Sequence, residues 1–167
     1  MSDLIERSMN GLTIHLDGEY DCLTTQIGLV ENVDRIVICE GDTRFENGEL
    51  HLNFNKDPSK FCIDEQSYGG TSVKAITFAD LSSGLERSGS ESPEGDGEVL
   101  MILMIENDMP VSTMARAGIT ATEGITAAMQ DLGLACNGLK ASGSVKQDIV
   151  IVRNSSSDLY LRGAGNH

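Results

Sequence analysis

The sequence predicts an α/β or α+β domain with a mixed β-sheet, in which N-terminal strands precede a C-terminal strand–helix–strand unit with one long helix. Alternating apolar and polar residues in the first half indicate strands. An apolar run over residues 98–105 and helical spacing of apolar residues over 111–132 predict the C-terminal unit. The chain has 167 residues, close to the ~150 of one typical domain, so we expect a single domain over residues 1–167.

The first half contains short segments with the pattern of strands. Alternation or a short apolar run between turn residues predicts strands at residues 11–16, 22–27, 35–39 and 50–54. A β-meander is the simplest arrangement of these strands. Residues 71–81 approximate helical spacing, with Ser72 as a cap, and predict a short helix.

Residues 82–97 consist almost entirely of small and acidic residues. Such a composition buries too little apolar surface to order a segment. We therefore expect a flexible loop inserted within the domain.

The second half has the pattern of a βαβ-like unit. Strands are predicted at residues 98–105, 147–152 and 159–161. The intervening helix spans residues 111–132, with Pro110 near its start and Gly133 just past its end. The first strand of the unit is apolar from residue 99 onward, which is typical of a strand covered on both faces.

The charge balance excludes several classes of partner. Twelve Lys and Arg against 26 Asp and Glu give a net charge of −14, so phosphate backbones and anionic lipid would repel the chain. We expect no nucleic-acid or membrane partner and a cytoplasmic location, because no signal-peptide or spanning segment is present. A homo-oligomer is compatible with the sequence. The four cysteines form no C-x-x-C pair, and we expect reduced thiols.

Three polar clusters in the second half are candidates for chemistry. The helix carries Thr120, Thr122 and Glu123, although Glu123 lies about 200° around from Ala121, which also fits a solvated helix face. The second cluster is a small-residue loop before a strand, with Ser142, Ser144, Lys146 and Asp148. Its hydroxyls and backbone N–H groups suit an oxyanion, although an ordinary connector has the same composition. The third cluster is the glycine-rich segment 162–167, which ends at His167.

The same segments resemble the adenosylcobinamide amidohydrolase family of corrinoid salvage. Residues 117–129 read Ala-Gly-Ile-Thr-Ala-Thr-Glu-Gly-Ile-Thr-Ala-Ala-Met and are similar to the family's Ile-Thr-Ala-Thr-Glu-Ala-Lys-Thr-Ala-Ala-Leu. Residues 141–144 and 148–152 look like its Ala-Thr-Gly-Thr segment and the Asp that opens an apolar strand, and residues 163–167 are similar to its late Gly-x-His segment. Residues 22–25, Cys-Leu-Thr-Thr, faintly resemble its Leu-Ser-Ser segment.

The resemblance implies hydrolysis of the amide that joins the corrin side chain to aminopropanol, with release of adenosylcobyric acid. The implied partner is a corrinoid small molecule; no cofactor is assigned, and no spacing indicates a metal site. Amide hydrolysis needs a base, an oriented nucleophile and oxyanion donors. The candidate catalytic residues are Glu123, His167 and Asp148, and the candidate substrate-binding residues are Thr120, Thr122, Ser142, Ser144 and Lys146. We expect the three clusters to converge on one pocket.

The alternative is a non-catalytic protein with the same fold that binds a corrinoid or another small ligand, or that serves in assembly. It is favoured by two departures from the family pattern. The family's Lys after Glu-Ala is Ile125 here, and the spacing that leads to Asp148 is longer by one residue.

Hydrogen exchange tests the expectation for residues 82–97. We expect amides in this segment to exchange within seconds at neutral pH, because few of them are held by buried structure. Mass-spectrometric exchange of the native chain measures this, with residues 98–105 as the protected control. Strong protection throughout 82–97 would contradict the expectation.

Overall fold

The computed structural model describes residues 4–91 and 94–161. Those residues form thirteen strands and one helix. The elements of the first half are β1 (Ile5–Ser8), β2 (Gly11–Thr24), β3 (Gly28–Cys39), β4 (Arg44–Glu46), β5 (Glu49–Asn53), β6 (Phe61–Tyr68), β7 (Thr71–Asp80) and β8 (Leu85–Glu86). Those of the second half are β9 (Glu98–Ile105), α1 (Val111–Asp131), β10 (Ala135–Cys136), β11 (Leu139–Lys140), β12 (Gly143–Ser144) and β13 (Lys146–Asn154).

One mixed sheet spans both halves of the chain and confirms the predicted fold class. Its order is β4-β5-β3-β2-β13-β9-β7-β6, with β1 paired to β2. The pairs β13–β9 and β3–β5 are parallel, and the other pairs in this sheet are antiparallel. Because β13 lies between β2 and β9, the last long strand joins the N-terminal strands to the C-terminal unit.

The predicted strand–helix–strand unit is confirmed as β9-α1-β13. The helix begins after Pro110, whose extended backbone (ψ 154°) stops it from starting earlier. It ends in a Schellman motif, in which the N–H of Leu134 donates to Met129 and that of Gly133 donates to Gln130. Gly133 has a φ of 69°, a conformation that glycine adopts with little strain.

The sheet curls so that one face packs against itself. Five strand-to-strand steps separate β5 from β7, which in a flat sheet is about 24 Å. Phe54, just after β5, nevertheless has its ring centroid 5.7 Å from that of Phe78 in β7. Leu12, Ile36 and Ile102 are buried in this inner core.

The helix covers the opposite face of the sheet. Alternate residues of β9 and β13 therefore serve two cores: Ile102 and Val150 face the inner core, whereas Ile149 and Ile151 pack against the helix. From the helix, buried side chains at helical spacing fill the second core: Met114, Ala121, Ile125 and Met129. Burial on both faces explains the uninterrupted apolar run of β9.

Three local predictions are wrong. Residues 71–81 form the strand β7 instead of a helix, because β7 pairs along its whole length with β9 and β6. Residues 22–27 do not begin a separate strand, because β2 continues through an irregularity between His15 and Tyr20. The N-terminal strands are not a simple meander, since β5 runs parallel to β3.

Other local features differ in smaller ways. Residues 159–161 contribute a single bridge, Tyr160 to Asp108, in place of a strand. Within the loop 82–97, β8 pairs with β12. Thiols remain unpaired at all four cysteines, each of which lies in the described ranges. Across residues 4–91 and 94–161, no helix has the length and apolar character needed to cross a membrane.

A buried carboxylate ties three separate segments together. Glu98 is 3% exposed and lies 2.6 Å from the ammonium group of Lys146. It also accepts hydrogen bonds from the backbone N–H and side-chain amide of Asn55, at 2.9 and 3.0 Å. The start of β9, the start of β13 and the segment after β5 therefore meet at one carboxylate.

We expect Glu98→Ala to lower the free energy of unfolding by about 2–4 kcal/mol, because it leaves Lys146 and Asn55 without their partner in a partly dry site. Urea denaturation measures the loss. Glu31→Ala, at an exposed position of β3, is the control and should change stability by less than about 0.5 kcal/mol. Equal effects of the two substitutions would contradict the role of Glu98.

Candidate functional site

An apolar groove lies between α1 and the strands β2 and β13. It encloses about 330 Å³, and its floor and walls are made mainly by Leu23, Met114, Ile119, Ile149 and Ile151. Ala115 and Gly118 also line it, and their small side chains leave the space that a larger residue would fill. Thr24, Thr25 and Thr122 are also among the lining residues. The groove is therefore an apolar slot with a few polar groups, the composition typical of a small-molecule site.

A polar cleft of about 360 Å³ shares Thr122 with the groove. The hydroxyls of Ser88 and Ser142 lie 3.1 Å apart in this cleft, and the backbone N–H of Ser88 donates to the Ser142 hydroxyl at 2.8 Å. Two hydroxyls carry two donor hydrogens, and their mutual bond uses one of them. The pair therefore keeps one O–H for a ligand.

Gln147 supplies an acceptor to the same cleft. Its side-chain oxygen is buried and has no hydrogen-bond partner among the described residues, although Gln147 lines the cleft. A Cβ on Gly143 would lie 3.0 Å from that oxygen, so glycine at 143 leaves room beside it. A buried acceptor without a partner is costly, and an N–H group of a ligand would satisfy it.

Asp148 lies on the opposite face of β13 from Gln147 and makes two hydrogen bonds to the residues that follow β2. The hydroxyl of Thr25 donates to one carboxylate oxygen at 3.0 Å, and the side-chain amide of Gln26 donates to the other at 2.6 Å. Thr25 also lines the apolar groove. Thr25 therefore lines the groove and also bonds Asp148, whose carboxylate does not itself line the groove.

The structure brings together part of the predicted site. Thr122, Ser142 and Ser144 all line the polar cleft. The hydroxyl of Ser144 is buried and donates to the backbone oxygen of Lys146 at 2.7 Å, which is a structural bond. The hydroxyl of Thr122 donates to Gly118 one turn earlier.

Two predicted residues have their side chains elsewhere. Lys146 is taken up by the ion pair with Glu98 and by a bond to Asn53 at 2.5 Å, so its ammonium group does not line the cleft. Thr120 is exposed on the helix and lines none of the described cavities.

Glu123 also lines none of the described cavities and is exposed. The buried stripe of the helix includes Ala121 and Ile125, and a 100° step per residue turns Glu123 about 180° away from the mean direction of that stripe. The helix therefore presents Thr122 and Thr126 to the cleft and Glu123 to solvent.

His167 and the rest of segment 162–167 lie outside the described residues. Leu161, the last described residue of the chain, donates its N–H to Asp108 at the start of α1. Ser142 lies between α1 and β13, near the opposite end of the parallel strands β9 and β13 from Asp108. Among the described residues, Thr122 of the helix cluster therefore lies beside the 142–148 loop in one cleft. The participation of the third cluster, residues 162–167, stays a prediction.

Sequence reasoning assigned no role to Thr25, Gln26, Ser88 or Gln147. The Thr25–Asp148 contact spans 123 positions and depends on the pairing of β2 with β13, which no local pattern reveals. The signal that was available is the faint similarity of residues 22–25 to the family's Leu-Ser-Ser segment.

A family model described as adenosylcobinamide amidohydrolase matches residues 57–167, about two thirds of the chain. The chain therefore belongs to the adenosylcobinamide amidohydrolase family. No curated protein matches the chain, and no solved structure does. Thr25 and Gln26 precede the matched region, whereas Asp148, Gln147 and both clusters of hydroxyls on α1 and the 142–148 loop lie inside it.

Nowhere in residues 4–91 and 94–161 do three or more His, Cys, Asp or Glu side chains converge as a ligand set. The residues that line the groove and the cleft carry hydroxyls, the amide of Gln147 and the carboxylate of Glu86, which are suited to hydrogen bonding with an organic ligand.

The position of Glu123 leads to a testable expectation. Because its carboxylate is exposed and outside both cavities, Glu123→Gln should leave the kcat and KM of an amidohydrolase reaction at either cavity within about twofold of the unchanged chain. Steady-state measurement of aminopropanol release checks this, with Thr120→Val as a second exposed-face control. A loss of tenfold or more in kcat would show that Glu123 reaches the reacting atoms.

Proposed function

We propose that this chain hydrolyses the amide bond of adenosylcobinamide, releasing adenosylcobyric acid and aminopropanol. Membership of the family supports an amidohydrolase role in cobalamin metabolism. The observation that carries the proposal is the hydrogen bond to Asp148 from the hydroxyl of Thr25, a residue that lines the apolar groove.

Thr25, Asp148 and Gln26 have the geometry of an activated nucleophile. A nucleophile within hydrogen-bond reach of a base, with the base held by a third group, is the usual signature of covalent catalysis. Here the hydroxyl is 3.0 Å from the carboxylate, and Gln26 holds the second carboxylate oxygen. The backbone N–H of Ile149 donates to the Thr25 hydroxyl at 3.2 Å, which leaves its O–H directed to Asp148.

The proposed reaction has two steps. The Thr25 oxygen attacks the amide carbon while its proton passes to Asp148, and the C–N bond then breaks as that proton is delivered to the leaving aminopropanol nitrogen. Water next attacks the resulting ester with Asp148 as base, which frees the corrin carboxylate and restores the hydroxyl. Atoms and protons balance with water as the only co-reactant.

The cavities support binding of one arm of a large substrate. A groove of about 330 Å³ is smaller than a whole corrinoid, so the side chain with the scissile amide enters and the ring stays outside. Exposed Ile119 at the groove offers apolar contact for the ring edge. In the adjoining cleft, the Gln147 oxygen would accept an amide N–H and the Ser88–Ser142 pair would donate to a carbonyl.

A corrinoid is the proposed small-molecule partner. His167 is a further proposed catalytic residue on the resemblance of residues 163–167 to the late family segment. An acidic chain with a net charge of −14 and a corrinoid substrate fits a cytoplasmic salvage enzyme, which is the proposed location.

The test is the conversion of adenosylcobinamide by the full chain. We expect adenosylcobyric acid and aminopropanol in equal amounts, measured by liquid chromatography with mass spectrometry. Asp148→Asn and Thr25→Val should each lower kcat by roughly 10²-fold or more, because they remove the base or the nucleophile. Thr25→Ser keeps the hydroxyl and should retain at least a tenth of kcat.

Binding and stability measurements separate the possible outcomes. Binding of adenosylcobinamide by the unchanged chain without any product would select the non-catalytic alternative. Turnover that survives Thr25→Val would overturn the nucleophile while leaving the reaction in place. Thermal unfolding of each variant reports whether a loss of activity follows a loss of the fold, and His167→Asn tests the residue outside the described structure.

A further inference from the structure

The polar cleft that shares Thr122 with the groove has few hydrogen-bond donors to offer a ligand. Thr122, Thr126 and Ser144 each donate their hydroxyl hydrogen to a backbone oxygen, at 3.0, 2.7 and 2.7 Å. A hydroxyl carries one hydrogen, so these three groups can only accept a further hydrogen bond. The other two hydroxyls of the lining belong to the Ser88–Ser142 pair, which keeps one O–H. The five hydroxyl groups of the lining therefore offer a single donor.

Backbone N–H groups in the lining are used as well. The N–H of Ser88 donates to the Ser142 hydroxyl at 2.8 Å. The N–H groups of Ser142 and Val145 donate to backbone oxygens of residues 84–86, at 2.8 Å each. Oxygens that can accept thus outnumber hydrogens that can be donated, and a ligand that fits must itself bring N–H or O–H groups.

Gln147 adds an acceptor that has no partner. Its side-chain oxygen is buried without a hydrogen bond among the described residues. Gly143 leaves space beside it, since a Cβ at that position would lie 3.0 Å from the oxygen. The last torsion of a glutamine side chain is soft, so a small rotation turns this oxygen toward the open part of the cleft without loss of a hydrogen bond to it. An incoming N–H would remove the cost of a buried acceptor that has no partner.

The charges around the cleft favour a cation. Glu86 contributes a carboxylate to the lining, and none of the residues described as lining the cleft is Lys, Arg or His. The guanidinium of the adjacent Arg87 is directed to the backbone oxygen of Lys140, at 3.0 Å. The net charge of −14 on the chain adds to the attraction for a cation and repels an anion. A small cation with several N–H groups therefore matches both the hydrogen bonding and the charge of the cleft.

We propose that the polar cleft binds small primary ammonium compounds that also carry a hydroxyl, the class of the amino alcohols. A primary ammonium group has three N–H donors and no acceptor, which matches the oxygen-rich lining. The ammonium donates to the Gln147 oxygen and lies toward the Glu86 carboxylate. The hydroxyl of the ligand accepts the one O–H of the Ser88–Ser142 pair. A hydrogen bond from a charged donor is about twice as strong as a neutral one, which favours the ammonium over a neutral group.

This ligand class gives the cleft a place in the reaction, an assignment that rests on the proposed function. The leaving group of the hydrolysis is aminopropanol, which takes a proton from solvent at neutral pH and becomes a primary ammonium. The groove and the cleft meet at Thr122, so a substrate whose amide lies in the groove can extend its aminopropanol arm into the cleft. The nitrogen that Gln147 binds as an amide N–H in the substrate is the nitrogen that becomes the ammonium. The cleft therefore holds the amine half and disfavours the carboxylate half.

Equilibrium binding to the full chain tests the site without any turnover. The probes are aminopropanol, lactamide and lactate, which share a hydroxyethyl group and end in an ammonium, a neutral amide and a carboxylate, respectively. Titrations followed by nuclear magnetic resonance of the isotope-labelled chain, at pH 7 and constant ionic strength, give the dissociation constants. We expect aminopropanol to bind at millimolar concentrations and about tenfold more tightly than lactamide, and lactate to show no binding.

Gln147→Leu removes the acceptor that has no partner and keeps the net charge of the chain. It therefore separates the site from the general attraction of cations to an acidic protein. We expect the dissociation constant for aminopropanol to rise about tenfold or more, since a hydrogen bond to a charged group is lost. The temperature of thermal unfolding should not fall, because no hydrogen bond to the buried oxygen is removed. Gln66→Leu, at an exposed position of β6, is the matched control and should leave binding unchanged.

Equal affinity of the unchanged chain and Gln147→Leu for aminopropanol, or equal affinity of the chain for lactamide and aminopropanol, would overturn the proposal. If Gln147→Leu does not fold, Gly143→Ala decides the question, because its methyl group occupies the space beside the Gln147 oxygen. Binding weakened about fivefold or more supports the site, and unchanged binding overturns it. Aminopropanol binding without hydrolysis of adenosylcobinamide would keep the site and remove the proposed function. Hydrolysis without aminopropanol binding would keep the function and overturn the site.

Discussion

The fold depends on the position of β13 between β2 and β9. This strand pairs in parallel with β9 and antiparallel with β2, and therefore joins the C-terminal unit to the N-terminal strands. Two ion pairs hold its two ends. Near its first residues Lys146 meets Glu98, and near its last Arg153 meets the buried Asp21 of β2 at 2.7 Å while also bonding the backbone oxygen of Met109.

These ion pairs favour one register of β13, because a shift of the strand would separate each buried carboxylate from its cation. A shift of β13 by one residue would exchange its two faces and would bury Lys146 on the helix side without a carboxylate. The correct register places Gln147 on the helix side and Asp148 on the side of Thr25. The same constraint that stabilises the sheet therefore also aligns the proposed catalytic contact.

Local patterns predicted the parts of this arrangement that depend on local physics. The apolar run of β9 and the helical spacing, Pro110 and Gly133 of α1 each reflect the environment of one element, and both elements appear as expected. Residues 71–81 were misassigned because Val73, Ile76 and Leu81 fit a helical stripe, while pairing with β9 and β6 decides the outcome. The parallel pairing of β5 with β3 likewise has no signature within either strand.

The candidate site shows the same division between local and long-range information. Thr122, Ser142 and Gln147 meet because α1 and β13 are consecutive parts of one unit, so segments of the matched region suffice to predict their neighbourhood. Thr25 comes from outside that region, and only the β2–β13 pairing brings it to Asp148. The C-terminal part of the chain, which contains the family motifs, thus contributes the Asp148 carboxylate, and the N-terminal part contributes its hydroxyl partner, Thr25. For the proposed hydrolysis, the N-terminal strands therefore contribute directly to the chemistry as well as to the curl of the sheet.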